Sequence, residues 1–241
     1  MIAIVPETGS TSADLAARLA AGERIAEGEW LVADRQTAGR GRQGRAWLDG
    51  RGNFMGSTVV HARAGDPPLP SLALVAGIAL HGAVAPHLPR EVAPFLKWPN
   101  DLMCRHAKLA GILLERTGEA VVVGIGVNLV HAPEIEGRET AALATFAPPP
   151  VRNAFAQELA AAFAAELANW RAHGLSPTIA RWAALAHPEG TPLLIGEPGE
   201  TPLRGQFAGL DPQGALILAL ADGTRRTINA GEVRLASAAG G

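Results

Sequence analysis

The sequence is short of cysteine, lysine and long apolar runs, and each shortage excludes a class of protein. A single cysteine, Cys104, in 241 residues excludes an intramolecular disulfide framework and a zinc site built on several thiolates. The net charge of −2 excludes a global basic coat for nucleic acid, although a local basic patch remains compatible with it. Met1-Ile2-Ala3-Ile4-Val5-Pro6-Glu7 lacks the basic start and apolar run of a signal peptide. The longest mostly apolar stretch, Leu72 to Ala85, is too short to span a bilayer and is interrupted by His81. A soluble cytoplasmic protein with no membrane partner is expected. Familiar catalytic signatures are missing as well: no Gly-x-Ser-x-Gly elbow, no His-Glu-x-x-His, and no lysine after a glycine as a P-loop requires. The histidines show no ligand spacing and are read as structural or surface groups, and Cys104 as a packed thiol.

What is present suffices for one large domain with a small appendage. Hydrophobic residues make up 48% and charged residues 18%, which supports a packed core, and 28 glycines with 18 prolines promise many turns. Thr8-Gly9-Ser10-Thr11-Ser12 offers capping hydroxyls ahead of an Ala/Leu helix over 13–21, with Thr11 and Asp14 at capping-box spacing. Strands are predicted over 29–33, 53–62, 95–98, 101–105, 108–116 and 120–130, with a tight turn at His106-Ala107. Helices are predicted over 71–84, 153–171 and 177–187. The second carries Phe155, Leu159, Phe163, Leu167 and Trp170 on one stripe, and the third has Ser176 as cap with proline at its first position. Near Gly190 the texture changes to five short strands, 193–195, 204–210, 215–220, 224–229 and 232–235, between Pro-Gly and Asp-Gly turns. The expected division is therefore 1–188 and a small C-terminal β-barrel, 189–241.

Of the 21 basic residues only Lys97 and Lys108 are lysines. Against that arginine bias, two lysines close together suggest sites where a compact ammonium is wanted rather than a planar fork. Arg35, Arg40, Arg42, Arg45 and Arg51 crowd the 34–52 loop, opposed by only Asp34 and Asp49. Gly39-Arg40-Gly41-Arg42-Gln43-Gly44 matches a dinucleotide fingerprint formally, but it continues as loop instead of opening a helix, so that reading is rejected. Glycines between guanidiniums suit a wrapper for an anion, one expected to gain order when that anion arrives, and Trp47 should close the loop onto something. Lys97-Trp98-Pro99-Asn100-Asp101 sets a cation, an amide and a carboxylate at a strand end. Lys108-Leu109-Ala110-Gly111-Ile112 and Gly124-Ile125-Gly126-Val127-Asn128 are apolar strands thinned by glycines that permit close ligand approach.

These segments, in this order, resemble the biotin–protein ligase family, as do Ser10-Thr11-Ser12, Gln36-Thr37-Ala38-Gly39 and the closing Gly231-Glu232-Val233. The resemblance implies an α+β fold akin to class II aminoacyl-tRNA synthetases: a mixed, largely antiparallel sheet with helices on one face, plus a small SH3-like β-barrel. It implies biotin and MgATP as substrates, Mg2+ carried by the ATP phosphates, biotinyl-5′-AMP as intermediate, and a lysine of a biotin carboxyl carrier protein as acceptor. Site roles follow in the same way. Ser10, Thr11, Ser12 and Gln36 would meet the ureido head of biotin. Arg40, Gly41 and Arg42 would hold the carboxylate and phosphate, Lys108 would bridge the two, and Gly111 would admit the biotin. Arg45, Trp47, Lys97, Asn100 and Asn128 would contact the nucleotide, and Asp101, with Lys108 and Arg42, would act in catalysis. Family members often read Ser-Thr-Asn where this chain has Ser10-Thr11-Ser12. The catalytic segment starts within the first ten residues, so a monofunctional ligase without a DNA-binding domain is expected, and a homodimer is compatible. Two other readings are open to the same features. A lipoate or octanoate ligase would lack the Gly-Arg-Gly-Arg loop, and a nucleic-acid module would offer more stacking surface than the single barrel aromatic Phe207.

Overall fold

The computed structural model describes residues 1–48, 50–196 and 201–236. Asp49 and the last five residues of the expected barrel lie outside the described residues. A seven-stranded sheet runs β1-β2-β3-β7-β6-β5-β4, formed by β1 (Ile2–Val5), β2 (Trp30–Ala33), β3 (Phe54–His61), β4 (Pro94–Lys97), β5 (Asp101–Cys104), β6 (Ala107–Thr117) and β7 (Ala120–Val127). Only β1 and β2 pair in parallel, so the sheet is mixed and largely antiparallel. Strand β1 has no counterpart in the sequence reading: four residues between the start and Pro6 are too few for a periodicity to register.

The helices cover both faces of this sheet, a correction to the one-faced arrangement expected. Helix α1 (Thr11–Ala20) packs Leu15 with Leu31, Val59 and Val122 on one face. The opposite face carries the main core, where α2 (Leu72–Val84) and α3 (Arg152–His173) meet Val60, Val121, Val123 and Ile125. The alternation of β7 explains the division. Val121, Val123, Ile125 and Val127 point to the main core, whereas the α1 face receives Val122, Gly124 and Gly126. One face is thus filled and the other hollowed by the same strand.

The cap of α1 sits one residue before the expected box: Ser10 accepts from the backbone N–H of Ala13 at 3.4 Å, and the Asp14 carboxylate accepts from Thr8 Oγ1 at 2.5 Å. Flanking 3₁₀ turns extend α2 into a helical run, Leu69–His87, of 19 residues with mean hydropathy 1.6, longer than the apolar stretch read from sequence. Length and composition alone would let it cross a membrane; here it is the core helix, enclosed by α3, the sheet and α4 (Leu175–Ala184). The α3 stripe is buried as read, with Trp30 edge-on to Phe163 at 5.8 Å and Phe54 to Phe155 at 5.6 Å. Helix α4 starts two residues earlier than predicted, because Gly174 at φ 79° ends α3 and opens α4. Ser176 therefore lies inside its first turn rather than at the cap. The turn between β5 and β6 likewise falls at Arg105-His106, with Arg105 at φ 54°.

The five C-terminal strands form a small, barrel-like antiparallel sheet, ordered β11-β10-β9-β8-β12: β8 (Pro192–Ile195), β9 (Leu203–Leu210), β10 (Leu216–Ala219), β11 (Arg225–Ile228) and β12 (Val233–Leu235). Leu193, Phe207, Leu216 and Val233 join the main core, so the two sheets share one hydrophobic interior. His187 is buried at this junction, 4.4 Å from the ring of Phe207, and burial pushes its imidazole down to about 4.

Trp170 ties α3 to the start of α2, its indole donating to Ser71 Oγ at 2.9 Å from a fully buried position. Trp170→Ala should lower the unfolding free energy by about 3–5 kcal/mol, through the cavity and the lost hydrogen bond. Urea denaturation checks this; an unchanged midpoint would remove Trp170 from the framework of the core.

Candidate active site

A cleft opens on the hollowed face of the large sheet, between α1, the arginine loop and the C-terminal sheet. It brings together every residue assigned a site role above: the Ser10–Ser12 start of α1, Gln36, the 40–47 loop, Lys97, Asn100, Asp101, Lys108, Gly111 and Asn128.

Strand register builds its charged centre. Pairing of β4 with β5 sets Lys97 opposite Asp101, and the β5–β6 hairpin returns Lys108 to the same carboxylate. Lys97 Nζ lies 2.9 Å from one Asp101 oxygen and Lys108 Nζ 2.6 Å from the other. Burial alone would raise the Asp101 pKa, but the two ammoniums prevail and hold the carboxyl at about 2. Lys97 also donates to the Val233 carbonyl at 2.8 Å. Asn100 donates to the Ile112 carbonyl at 2.6 Å and accepts from the Arg42 guanidinium at 3.2 Å.

Backbone contacts within the arginine loop tie it together. Arg40 bridges Ala46, Gly41 N–H donates to the Arg45 carbonyl at 2.7 Å, and Trp47 N–H donates to the Gly39 carbonyl at 2.9 Å. A side chain at Gly39 would lie 2.6 Å from the Trp47 carbonyl, so the hairpin-like crossing requires glycine there. Trp47 seats on the sheet glycines: a Cβ at Gly126 would meet its indole at 2.3 Å, and one at Gly111 at 3.1 Å. The close approach those glycines permit is thus made by the indole itself. Lys108 Nζ stands 5.7 Å from the centre of the same ring.

Two buried polar atoms in the cleft have no partner among the described residues: the donor Trp47 Nε1 and the acceptor Asn128 Oδ1, whose amide nitrogen is held by the Ala141 carbonyl at 3.1 Å. A buried orphan pair of this kind lowers its energy by meeting a ligand that carries both an acceptor and a donor. No group of three or more His, Cys, Asp or Glu side chains assembles a metal site among the described residues. Among the described residues, Asp101 and Glu232 are the carboxylates lining the cleft. Both oxygens of each carry a cation, so among the described residues lining the cleft no carboxylate is left vacant for Mg2+.

Several lining residues escaped the sequence reading. Glu232, from the segment before β12, takes Arg45 at 2.8 and 3.1 Å and also binds Arg138, which pins the loop to the C-terminal sheet. Arg138 and Thr140 belong to a segment lacking apolar periodicity, and Ser57 is hidden in a buried strand. Glu232 alone was visible beforehand, in the Gly231-Glu232-Val233 motif, though no role had been attached to it.

Because Asp101 binds protons more weakly folded than unfolded, its contribution to stability is fully present above about pH 4 and is lost as the pH falls through about 2. That shift corresponds to about 2–3 kcal/mol at ~1.4 kcal/mol per unit. Asp101→Asn should therefore lower the urea midpoint at pH 6, with the gap to wild type closing towards pH 2. A gap that stays constant with pH would overturn the charge-clamp assignment.

Residues 19–129 match the Biotin/lipoate A/B protein ligase family, and residues 195–235 match the Biotin protein ligase C terminal domain. The chain is 37% identical to the biotin–[acetyl-CoA-carboxylase] ligase of Paracoccus denitrificans, over 95% of this chain and 98% of that one. It is 38% identical to the enzyme of the same name from Mycobacterium tuberculosis, over 95% and 87% respectively. Its fold superposes on the biotin protein ligase of Aquifex aeolicus, solved in complex with biotin and ATP, with a TM-score of 0.83 at 25% identity and 98% coverage of both chains. With relatives this similar over nearly their whole length, the chain is a ligase and belongs to the biotin protein ligase family.

Proposed function

We propose that this chain joins biotin to ATP as biotinyl-5′-AMP and then transfers biotin to a lysine of a biotin carboxyl carrier protein. One observation carries the reading most: two lysines fixed on one carboxylate beside an arginine loop, in a cleft whose other end is lined by hydroxyls and an amide. The first reaction brings two anions together. A biotin carboxylate oxygen attacks the α-phosphorus of ATP, the bond to the β-phosphate breaks, and pyrophosphate leaves. Fixed cations at that meeting point stabilise the charge that develops there. Lys108 serves as the point charge between carboxylate and α-phosphate, while Arg40, Gly41 and Arg42 retain the adenylate. Arg45, Lys97, Asn100 and Asn128 hold the nucleotide, and Asn128 Oδ1 supplies an acceptor for an adenine amine. Ser10, Thr11, Ser12 and Gln36 receive the ureido head. Trp47 shields the anhydride from water. In the second reaction the acceptor amine attacks the anhydride carbonyl, loses a proton and expels AMP, with Asp101 acting by holding Lys97 and Lys108 in place. Mg2+ belongs to this scheme as part of the MgATP substrate. Segments 1–188 and 189–241 act as catalytic part and appendage, the enzyme works in the cytoplasm, and a homodimer is compatible with the exposed sheet edge. A ligase role without repression is the reading we favour.

ATP–pyrophosphate exchange run with biotin, with lipoate and with no acid tests the first reaction. Exchange dependent on biotin alone is expected; exchange with lipoate would keep the fold and overturn the substrate. Lys108→Ala should lower that exchange by about 100-fold or more, and near-normal exchange would sink its assignment. Arg42→Gly should release biotinyl-5′-AMP into solution, read as biotin on bystander lysines. Labelling confined to the carrier domain would count against the retention role.

A further inference from the structure

At the uncharged end of the cleft, three buried hydroxyls and one amide form a single hydrogen-bonded chain. Gln36 Oε1 accepts from the backbone N–H of Thr11 at 2.7 Å and from Thr11 Oγ1 at 3.0 Å. Thr11 Oγ1 lies 2.8 Å from Ser57 Oγ, and Ser57 Oγ lies 2.9 Å from Ser12 Oγ. All four residues are less than a tenth exposed. Ser57 belongs to β3, opposite Gly124, where a Cβ would come within 2.3 Å of Ser12 Oγ. The missing side chain at Gly124 is therefore what lets the Ser12 hydroxyl reach the sheet.

Counting protons gives this chain a direction. The backbone N–H of Thr11 can only donate, so the atom facing it must be the Gln36 carbonyl oxygen, which fixes the amide and leaves Nε2 as its donor end. That oxygen can only accept, so Thr11 must give it its single hydroxyl proton. Thr11 then accepts from Ser57, and Ser57, its own proton used, accepts from Ser12. The hydroxyl protons of Thr11, Ser57 and Ser12 are all consumed within the protein. What these four residues offer a ligand is a row of oxygen lone pairs, with the Gln36 amide N–H as donor; Ser10 Oγ, which accepts from the Ala13 N–H, stands outside the row and keeps its own proton.

We propose that Ser57 is a specificity-determining residue that orients this row, so that the pocket accepts hydrogen bonds from ring N–H groups and rejects a ring that offers an oxygen there. The inference rests on the placement of the ureido head proposed above, whose two N–H groups are the donors such a row requires. Ser57 acts through its neighbours: it holds the proton of Ser12 away from the ligand by accepting it.

The test compares biotin with its cyclic carbamate analogue, in which one ureido N–H is replaced by oxygen, by kcat/KM in ATP–pyrophosphate exchange. Wild type should prefer biotin on the order of 100-fold, because the analogue sets a lone pair against a lone pair in a buried site. Ser57→Ala returns the Ser12 proton to the pocket, where it can donate to the ring oxygen. Use of the carbamate should rise in absolute terms and the preference should fall to about 10-fold or less. Structural damage cannot produce that gain. Ser57→Thr, which keeps the hydroxyl, should restore the preference. Should Ser57→Ala not fold, Ser57→Cys, close in size with a much weaker acceptor, should show the same drop. If wild type uses both acids equally, or the variant loses both in proportion, the role of Ser57 is overturned while biotin remains the substrate. No exchange with either acid would overturn the substrate reading, and this inference with it.

Discussion

The cleft depends on one carboxylate held between two ammoniums. Lys97 and Lys108 converge on Asp101 in a partly buried position, where two like charges without an anion between them would repel strongly. The arrangement is enforced by strand register rather than by loop chemistry. Asp101 faces Lys97 directly across β4 and β5, and the return strand β6 brings Lys108 from the other side. A slip of one residue in either pairing would send a lysine to the opposite face, into the hydrophobic core. Folding the hairpins correctly and assembling the charge centre are therefore the same event.

A second constraint shapes the cavity around that centre. Each residue of β7 and of its partners points to one of two faces, and the faces have opposite requirements. The main core needs volume, which Val121, Val123, Ile125 and Val127 supply; the site needs its absence, supplied by Gly111, Gly124 and Gly126. Aligned glycines on neighbouring strands weaken a sheet taken alone. The loss is offset here because Trp47 and Ser12 pack into the room they leave. Hollow and lid are complementary parts of one packing arrangement.

Much of this was legible beforehand, for identifiable reasons. The α3 stripe is periodic over a long segment, the strand over 120–130 stands out as an apolar run thinned by glycines, and the scarcity of lysine makes Lys97 and Lys108 conspicuous. The Asp101 clamp was harder to see, since its residues are spread over two hairpins and meet only through register. Strand β1 is too short to show a period. In the arginine loop, composition shows the charge and the glycines but not the backbone pairing of Arg40 with Ala46 or the seat for Trp47. Ser57 was invisible because a serine inside a buried strand looks like an ordinary small residue until its neighbours are known.

The C-terminal sheet extends the argument from hydrophobic packing to charge. Its Glu232 takes Arg45 and Arg138, the Val233 carbonyl takes Lys97, and the Gly214 carbonyl takes the indole N–H of Trp98. Each contact ends on a residue in or beside the cleft, so the appendage is part of the wall of the site. A loop dense in guanidiniums is costly to fold against a sheet unless something neutralises it, and a surface ion pair contributes little to that. Glu232 is mostly withdrawn from water and shared by two arginines, which makes its attraction count for more than that of an exposed pair. An anionic substrate entering the cleft thus meets cations already positioned by carboxylates. It has only to outcompete partners of lower charge, without assembling the cation cluster itself, and this is the sense in which the cleft is preorganised.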